Sequence, residues 1–245
     1  MQLNFIPTKT RVLTPPKDEI FDILDGLDVK DGDIIFITSK VLAIHQGRCV
    51  EKSKSDKLEL IKKEASHWLP YTMHGGFKIN LTITDNILIA AAGIDESNGD
   101  DYYILWPEHA DKLCAEIRKY LMKKHGVKKL GVVATDSHST PLRWGVTGFT
   151  VGFAGIQPLN DIRGHLDIFG RALKYTKVNL IDPLASVAVL TMGEAAEQTP
   201  IVTLRGYTGI PFNEHASMHD FNVAPSLDIY KPLLDVFHKQ GEETK

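Results

Sequence analysis

The chain has 245 residues, of which 43% are apolar and 24% charged, and it carries a net charge of -3. That length can bury a large core in one large domain or two small ones. The charge balance excludes a basic nucleic-acid surface, and no apolar run approaches the roughly 18 residues of a membrane span. Residues 1–5 lack the charged start and apolar centre of a signal peptide. The two cysteines, Cys49 and Cys114, argue against a disulfide scaffold or a thiolate zinc site. A reduced, cytoplasmic protein is expected.

In chain order, residues 17–27 read as a short helix opened by Pro15 and Pro16, with Ile20, Phe21, Ile23 and Leu24 on its apolar face. The continuous apolar run 34–37 predicts a buried strand. Thr38, Ser39 and Lys40 follow at once, as a hydroxyl N-cap into a helix that Gly47 ends. Residues 52–63 are charged and solvated, with Leu58 and Ile61 as anchors. Residues 81–83 and 87–91 predict two strands around Asp85 and Asn86. Residues 107–125 give the clearest helix, with Leu113, Ile117, Tyr120 and Leu121 on one face and Gly126 at its end. A buried strand is expected at 130–134. Four glycines in residues 145–155 predict close backbone approach or bulges. A helix at 182–195 with small residues on one side and a strand at 201–204 complete the pattern, and the last six residues are expected to fray. The fold class is mixed α+β, and a second lobe is expected to begin in or contain the glycine-rich region 145–175.

Two acidic segments carry the most chemistry. Asp95, Glu96 and Asn98 follow one strand-like run, and Asp136 with Ser137 follows another about forty residues on. Burying a carboxylate is costly, so acids at strand ends need partners. Hard oxygen donors of this kind suit Mg²⁺ or Mn²⁺ bridging to phosphates, although each segment also reads as a plain turn. Ser39 and Lys40 at a helix start suit phosphate, or simply cap the helix. Arg143, Arg163, Arg171 and Arg205 lie near glycines and can fork onto phosphate or carboxylate, or form surface ion pairs. Glu194 adds a third carboxylate at a helix end. No P-loop, nucleophile elbow or dinucleotide fingerprint is present.

The order of these motifs resembles the coenzyme F420-0:L-glutamate ligase (gamma-glutamyl ligase) family. The resemblance runs over residues 5–206. It rests on Thr38-Ser39-Lys40, Gly47-Arg48, Ala92-Gly93-Ile94-Asp95-Glu96-Ser97-Asn98 and Asp136-Ser137 before Pro141. It continues through Asp161-Ile162-Arg163-Gly164 and Met192-Gly193-Glu194 to Arg205-Gly206. It implies a two-lobed F420 gamma-glutamyl ligase-like fold and an intertwined homodimer. The implied reaction consumes GTP with Mg²⁺ or Mn²⁺ and joins L-glutamate to a phosphorylated acid through an acyl phosphate. By position, Asp95, Asp136, Ser137 and Glu194 match metal ligands. Pro7, Thr8, Lys9, Thr10, Ser39, Lys40 and Asn98 match nucleotide contacts. Arg143, Arg163 or Arg171 could hold the acidic acceptor or the glutamate, and Arg143 joins Asp95 and Asp136 in the catalytic set.

The chain also departs from the family pattern. Ser137-His138-Ser139-Thr140-Pro141 stands where the family typically reads Thr-Phe-Gly-Arg-Pro, and Ile44 stands where it usually has lysine. His74-Gly75-Gly76-Phe77 matches the family's His-Gly-Phe region only loosely. Losing two cations beside a triphosphate weakens binding unless Arg143 or His138 compensates. The competing readings are a metal-dependent phosphohydrolase and a non-catalytic nucleotide- or coenzyme-binding homologue.

Overall fold

The computed structural model describes residues 3–70, 72–74 and 76–239. The expectations for residues 1 and 2, for Gly75 and for the final six residues lie outside these. The protein is mixed α+β. Its central sheet has five strands: β1 (Asn4–Thr8), β2 (Asp33–Thr38), β3 (Leu130–Ser139), β4 (Val146–Ala154) and β5 (Ile201–Arg205), in the order β1-β5-β2-β3-β4. Only β2 and β3 run parallel.

Both faces of this sheet are covered, which explains the unbroken apolar run of β2. Ile35 and Ile37 point into one core with helix α1 (Ser39–Gln46) and helix α3 (Ala110–His125), while Ile34 and Phe36 point into a second core with helix α4 (Ile181–Met192). Strand side chains alternate between faces, so a strand buried on both sides reads as continuously apolar. Each such Ile or Phe contributes about 1.5–3 kcal/mol by leaving water.

The glycines of β4 permit close approach, as the sequence predicted. A Cβ on Gly148 would lie 2.6 Å from Val189 of α4, and one on Gly152 would lie 2.7 Å from Ala110 of α3. Ala185 and Ala188 form the small, buried side of α4.

A smaller four-stranded sheet joins His67–Trp68, Leu81–Thr84, Ile87–Ala90 and His238–Lys239. Asp85 and Asn86, with φ of 48° and 63°, turn its hairpin. This is the left-handed pair that a two-residue hairpin requires.

Four expectations need correction. The helix at 17–27 shrinks to one turn, Phe21–Leu24, because the Asp18 carboxylate is taken by Arg11 and by the Thr14 N–H instead of a helix start. Helix α2 (Lys57–Glu64) is anchored by Leu60 and Ile61, while Leu58 is exposed. The helix at 182–195 stops at Met192, where Gly193 takes φ 80°. The strand expected at 130–134 continues to Ser139, because β4 pairs with it as far as Val146 opposite Ser139. No described helix is long and apolar enough to cross a membrane.

Candidate active site

The parallel pair creates the site. Thr38 lies opposite Thr135, and beyond that point β2 turns into α1 while β3 runs on. Ser39 and Asp136, the next residues, therefore stand side by side, and the Ser39 hydroxyl donates to Asp136 Oδ2 at 3.0 Å. Asp136 thus lies inside a strand, opposite Phe149, and not just past a strand's end as expected, which also removes the plain-turn alternative. Ligand sites in α/β sheets gather at these carboxyl ends. The N-terminus of α1 receives no side-chain cap from Thr38.

Asp95 arrives by a sharper route. Ala91, Ala92 and Gly93 all take positive φ, of 51°, 54° and 73°. An alanine held there costs roughly 1–2 kcal/mol. The bend is held by the Ala92 N–H on Thr82 Oγ1 at 2.9 Å and the Ala91 N–H on the Asn80 carbonyl at 2.8 Å. Lys40 Nζ then reaches Asp95 Oδ2 at 2.8 Å and also donates to the Ser97 carbonyl at 2.8 Å. The Ser97 N–H donates to Asp95 Oδ1 at 2.7 Å. The turn reading of Asp95 therefore holds in this geometry, with Lys40 on its other oxygen. Asn98 Nδ2 donates to the Ala195 carbonyl at 2.9 Å, which ties this loop to the segment after α4.

These groups line one cleft of about 270 Å³ that holds Thr10, Ser39, Lys40, Asp95, Asn98 and Asp136, with Ser137 and Glu194 beside them. The Ser137 hydroxyl sits 3.4 Å from Glu194 Oε2, which it approaches as a donor. Burial pushes Asp136 up to about 6, against three donors and with Asp95 adding repulsion. Burial also raises Glu194. At Asp95 burial pulls upward, but Lys40 and Ser97 outweigh it and hold the carboxyl below its ordinary value.

Other candidates fall elsewhere. Pro7 and Thr8 lie in β1, paired with Val202 and Ile201. They do not line the cleft, and neither does the exposed Lys9. Arg143 is exposed on the loop between β3 and β4 and also stands outside the cleft. Arg163 pairs with Asp161 at 2.5 Å, and Arg205 with buried Asp33 at 2.8 Å. His138 stacks on Phe149, with ring centroids 4.4 Å apart, and burial lowers its pKa. Ile44 forms part of the cleft wall and is 2% exposed.

Three participants escaped sequence reasoning. Arg11 lines the cleft but is held by Asp18 at 2.7 Å. Glu197 lines it after the α4 turn. The Trp106 indole N–H donates to Asp136 Oδ2 at 2.5 Å. A tryptophan directly before Pro107 was its only signal.

The donor chemistry fits a hard divalent cation: three carboxylates and a hydroxyl face one cleft. In this arrangement, among the described residues, no three His, Cys, Asp or Glu side chains stand at metal-binding spacing. Lys40 occupies the Asp95 carboxylate, and two donors occupy Oδ2 of Asp136.

The sequence model described as F420-0:Gamma-glutamyl ligase matches residues 10–206. A coenzyme F420:L-glutamate ligase of Methanocaldococcus jannaschii is 34% identical over 205 residues, covering 78% of this chain and 82% of the relative. That of Methanopyrus kandleri is 32% identical over 225 residues, covering 84% and 87%. That of Methanosarcina mazei is 40% identical over 199 residues, covering 75% and 78%. With its fold, its cleft and these likenesses together, the chain belongs to the F420-0:gamma-glutamyl ligase family, a family of amide-bond-forming ligases.

Proposed function

We propose that this chain is a GTP- and divalent-metal-dependent ligase that joins L-glutamate to the carboxylate of a phosphorylated coenzyme F420 precursor. The observation that carries the reading is convergence. Residues distant in sequence, Ser39, Lys40, Asp95, Asn98, Asp136, Ser137 and Glu194, share one cleft at the carboxyl ends of a parallel strand pair. The relatives' names supply the acceptor and the amino acid.

The chemistry balances in two steps. An oxygen of the acid's carboxylate attacks the γ-phosphorus of GTP, the bond to the β,γ-bridging oxygen breaks, and GDP leaves. The glutamate nitrogen then attacks the acyl carbon, the carbon–oxygen bond to phosphate breaks, and phosphate and a proton are released. Phosphoryl transfer is chiefly positioning and charge neutralisation. When bound, Mg²⁺ or Mn²⁺ would supply that neutralisation, held by Asp95, Asp136, Ser137 and Glu194. Lys40, Ser39, Asn98 and Thr10 would contact the nucleotide. Arg143 would serve the acidic substrate from the exposed loop between β3 and β4, outside the cleft.

The protein would work as a cytoplasmic homodimer of two-lobed subunits. Apolar side chains at Leu142, Val146, Leu166, Ile168 and Phe169 are exposed around the region 142–178 and suit a subunit contact. The two cysteines are unpaired, which suits a reducing compartment.

A thermal-shift titration with GTP, ATP and GDP, each with and without Mn²⁺, tests the nucleotide and metal parts. Binding at a hundred times the dissociation constant stabilises by about 2.7 kcal/mol. Phosphate release that requires both the acid and L-glutamate supports the ligase, whereas release without glutamate identifies a phosphohydrolase. No shift with any nucleotide, with or without Mn²⁺, refutes the reading.

A further inference from the structure

Trp106 has no counterpart among the candidate site residues above, yet it is one of the most constrained side chains around the cleft. It is 4% exposed. Its ring lies against Gly93, where a Cβ would fall 2.3 Å from the indole, so the left-handed bend that delivers Asp95 also makes room for this ring. Its carbonyl accepts from Arg48 Nε at 3.0 Å, and Arg48 is itself held by Glu64 and Glu108. Phe149 flanks it, with centroids 6.0 Å apart.

The indole N–H can only donate. It therefore cannot act as a ligand; it can only occupy an acceptor. A carboxylate has about four lone-pair sites, two on each oxygen. On Asp136, Oδ2 accepts from Ser39 at 3.0 Å and from Trp106 at 2.5 Å, and Oδ1 accepts from the Ser137 N–H at 2.7 Å. One site remains, on Oδ1.

We infer that Trp106 is a positioning residue: its indole N–H, beside the Ser39 hydroxyl on Oδ2, fixes the Asp136 carboxylate so that Oδ1 would be the oxygen left to hold a divalent cation. The inference rests on the divalent-cation reading proposed above. It assigns the tryptophan the part that outer hydrogen-bond partners play at metal centres, where their loss weakens the metal by about 10–100-fold.

The test separates the N–H from the ring. 3-Benzothienylalanine, installed at position 106 alone, keeps the shape and has sulfur in place of N–H. 7-Azatryptophan at the same position keeps both. Mn²⁺ binding is measured by electron paramagnetic resonance titration in the absence of nucleotide, with Trp106→Phe as a genetically encoded second variant. The expected result is a rise of about tenfold or more in the Mn²⁺ dissociation constant for the benzothienyl protein and for Trp106→Phe. The azatryptophan protein should bind like the unmodified one. Unmodified affinity in the benzothienyl protein, or equal weakening by azatryptophan, overturns the inference and leaves the metal reading intact. Absence of Mn²⁺ binding by the unmodified protein overturns the metal reading and this inference with it.

Discussion

Replacing Asp136 by Asn should stabilise the metal-free protein at neutral pH, although it removes a residue central to the proposed chemistry. The carboxyl sits at about 6, above its ordinary 3.8, chiefly because burial disfavours the charged form. A group raised in the native state binds its proton better there than in the unfolded chain. Its penalty is therefore absent below about pH 4, grows between about 4 and 6, and is complete above about 6. A gap of about two pH units corresponds to about 3 kcal/mol. That is an upper bound, because Asp136 retains some exposure at the cleft. Asn keeps one acceptor for Ser39 and Trp106 but offers an NH₂ where the Ser137 N–H now donates to Oδ1. Losing that bond offsets about 1 kcal/mol. The net expectation is a gain of up to about 2 kcal/mol at pH 8 that turns into a loss of about 1 kcal/mol near pH 4, where only the lost Ser137 bond remains. Urea unfolding of both proteins at the two pH values, with a chelator present, measures it. A stability difference that does not change with pH would refute the argument, because it would show that the Asp136 charge carries no burial penalty.

Arg205→Met strands Asp33, which is 1% exposed and holds the guanidinium through both carboxylate oxygens. A loss of about 3–5 kcal/mol is expected in urea unfolding, as for other buried pairs broken on one side. Gly148→Ala places a Cβ 2.6 Å from Val189 and 2.7 Å from the Ala185 carbonyl. Helix α4 must shift, so a loss of about 1–3 kcal/mol is expected by the same measurement. Ala91→Gly relieves a φ of 51°, and the relief exceeds the extra chain entropy of glycine, giving a gain of about 0.5–1 kcal/mol in thermal unfolding. Lys40→Met removes the cation from Asp95, 2.8 Å away. GTP should then bind at least about tenfold more weakly, read as a reduced thermal shift, since a buried phosphate loses about 1.4 kcal/mol or more with its charged donor.

What the sequence revealed follows from how local each cause is. The strand 34–37 and the end of the helix at Gly126 are written in adjacent residues and stand as expected, although that helix begins at Ala110 and not at Pro107. The glycines of β4 announced close packing, because only glycine fits where a helix backbone approaches this closely. Asp136 was found as a candidate, but its setting was not. The extension of β3 past residue 134 depends on pairing with β4, which is a tertiary contact. The helix expected at 17–27 failed for a related reason. Its apolar spacing was sound, but Arg11, outside the window, claims the Asp18 carboxylate that would otherwise serve a helix start.

Trp106 shows the limit most clearly. Its place directly before Pro107 is all that the sequence offers, and that does not assign it to a site. It joins one because Ala91, Ala92 and Gly93 bend the chain in a conformation that two of the three residues disfavour, and the bend vacates the space that the indole fills. The same bend aims Asp95 at Lys40. One strained turn therefore places an acid from one strand and a hydrogen-bond donor for an acid on another. A reading by motifs sees Asp95 and Asp136 as two separate signals. The structure couples them through Gly93 and Trp106, so a residue with a side chain at position 93 should disturb both carboxylates at once.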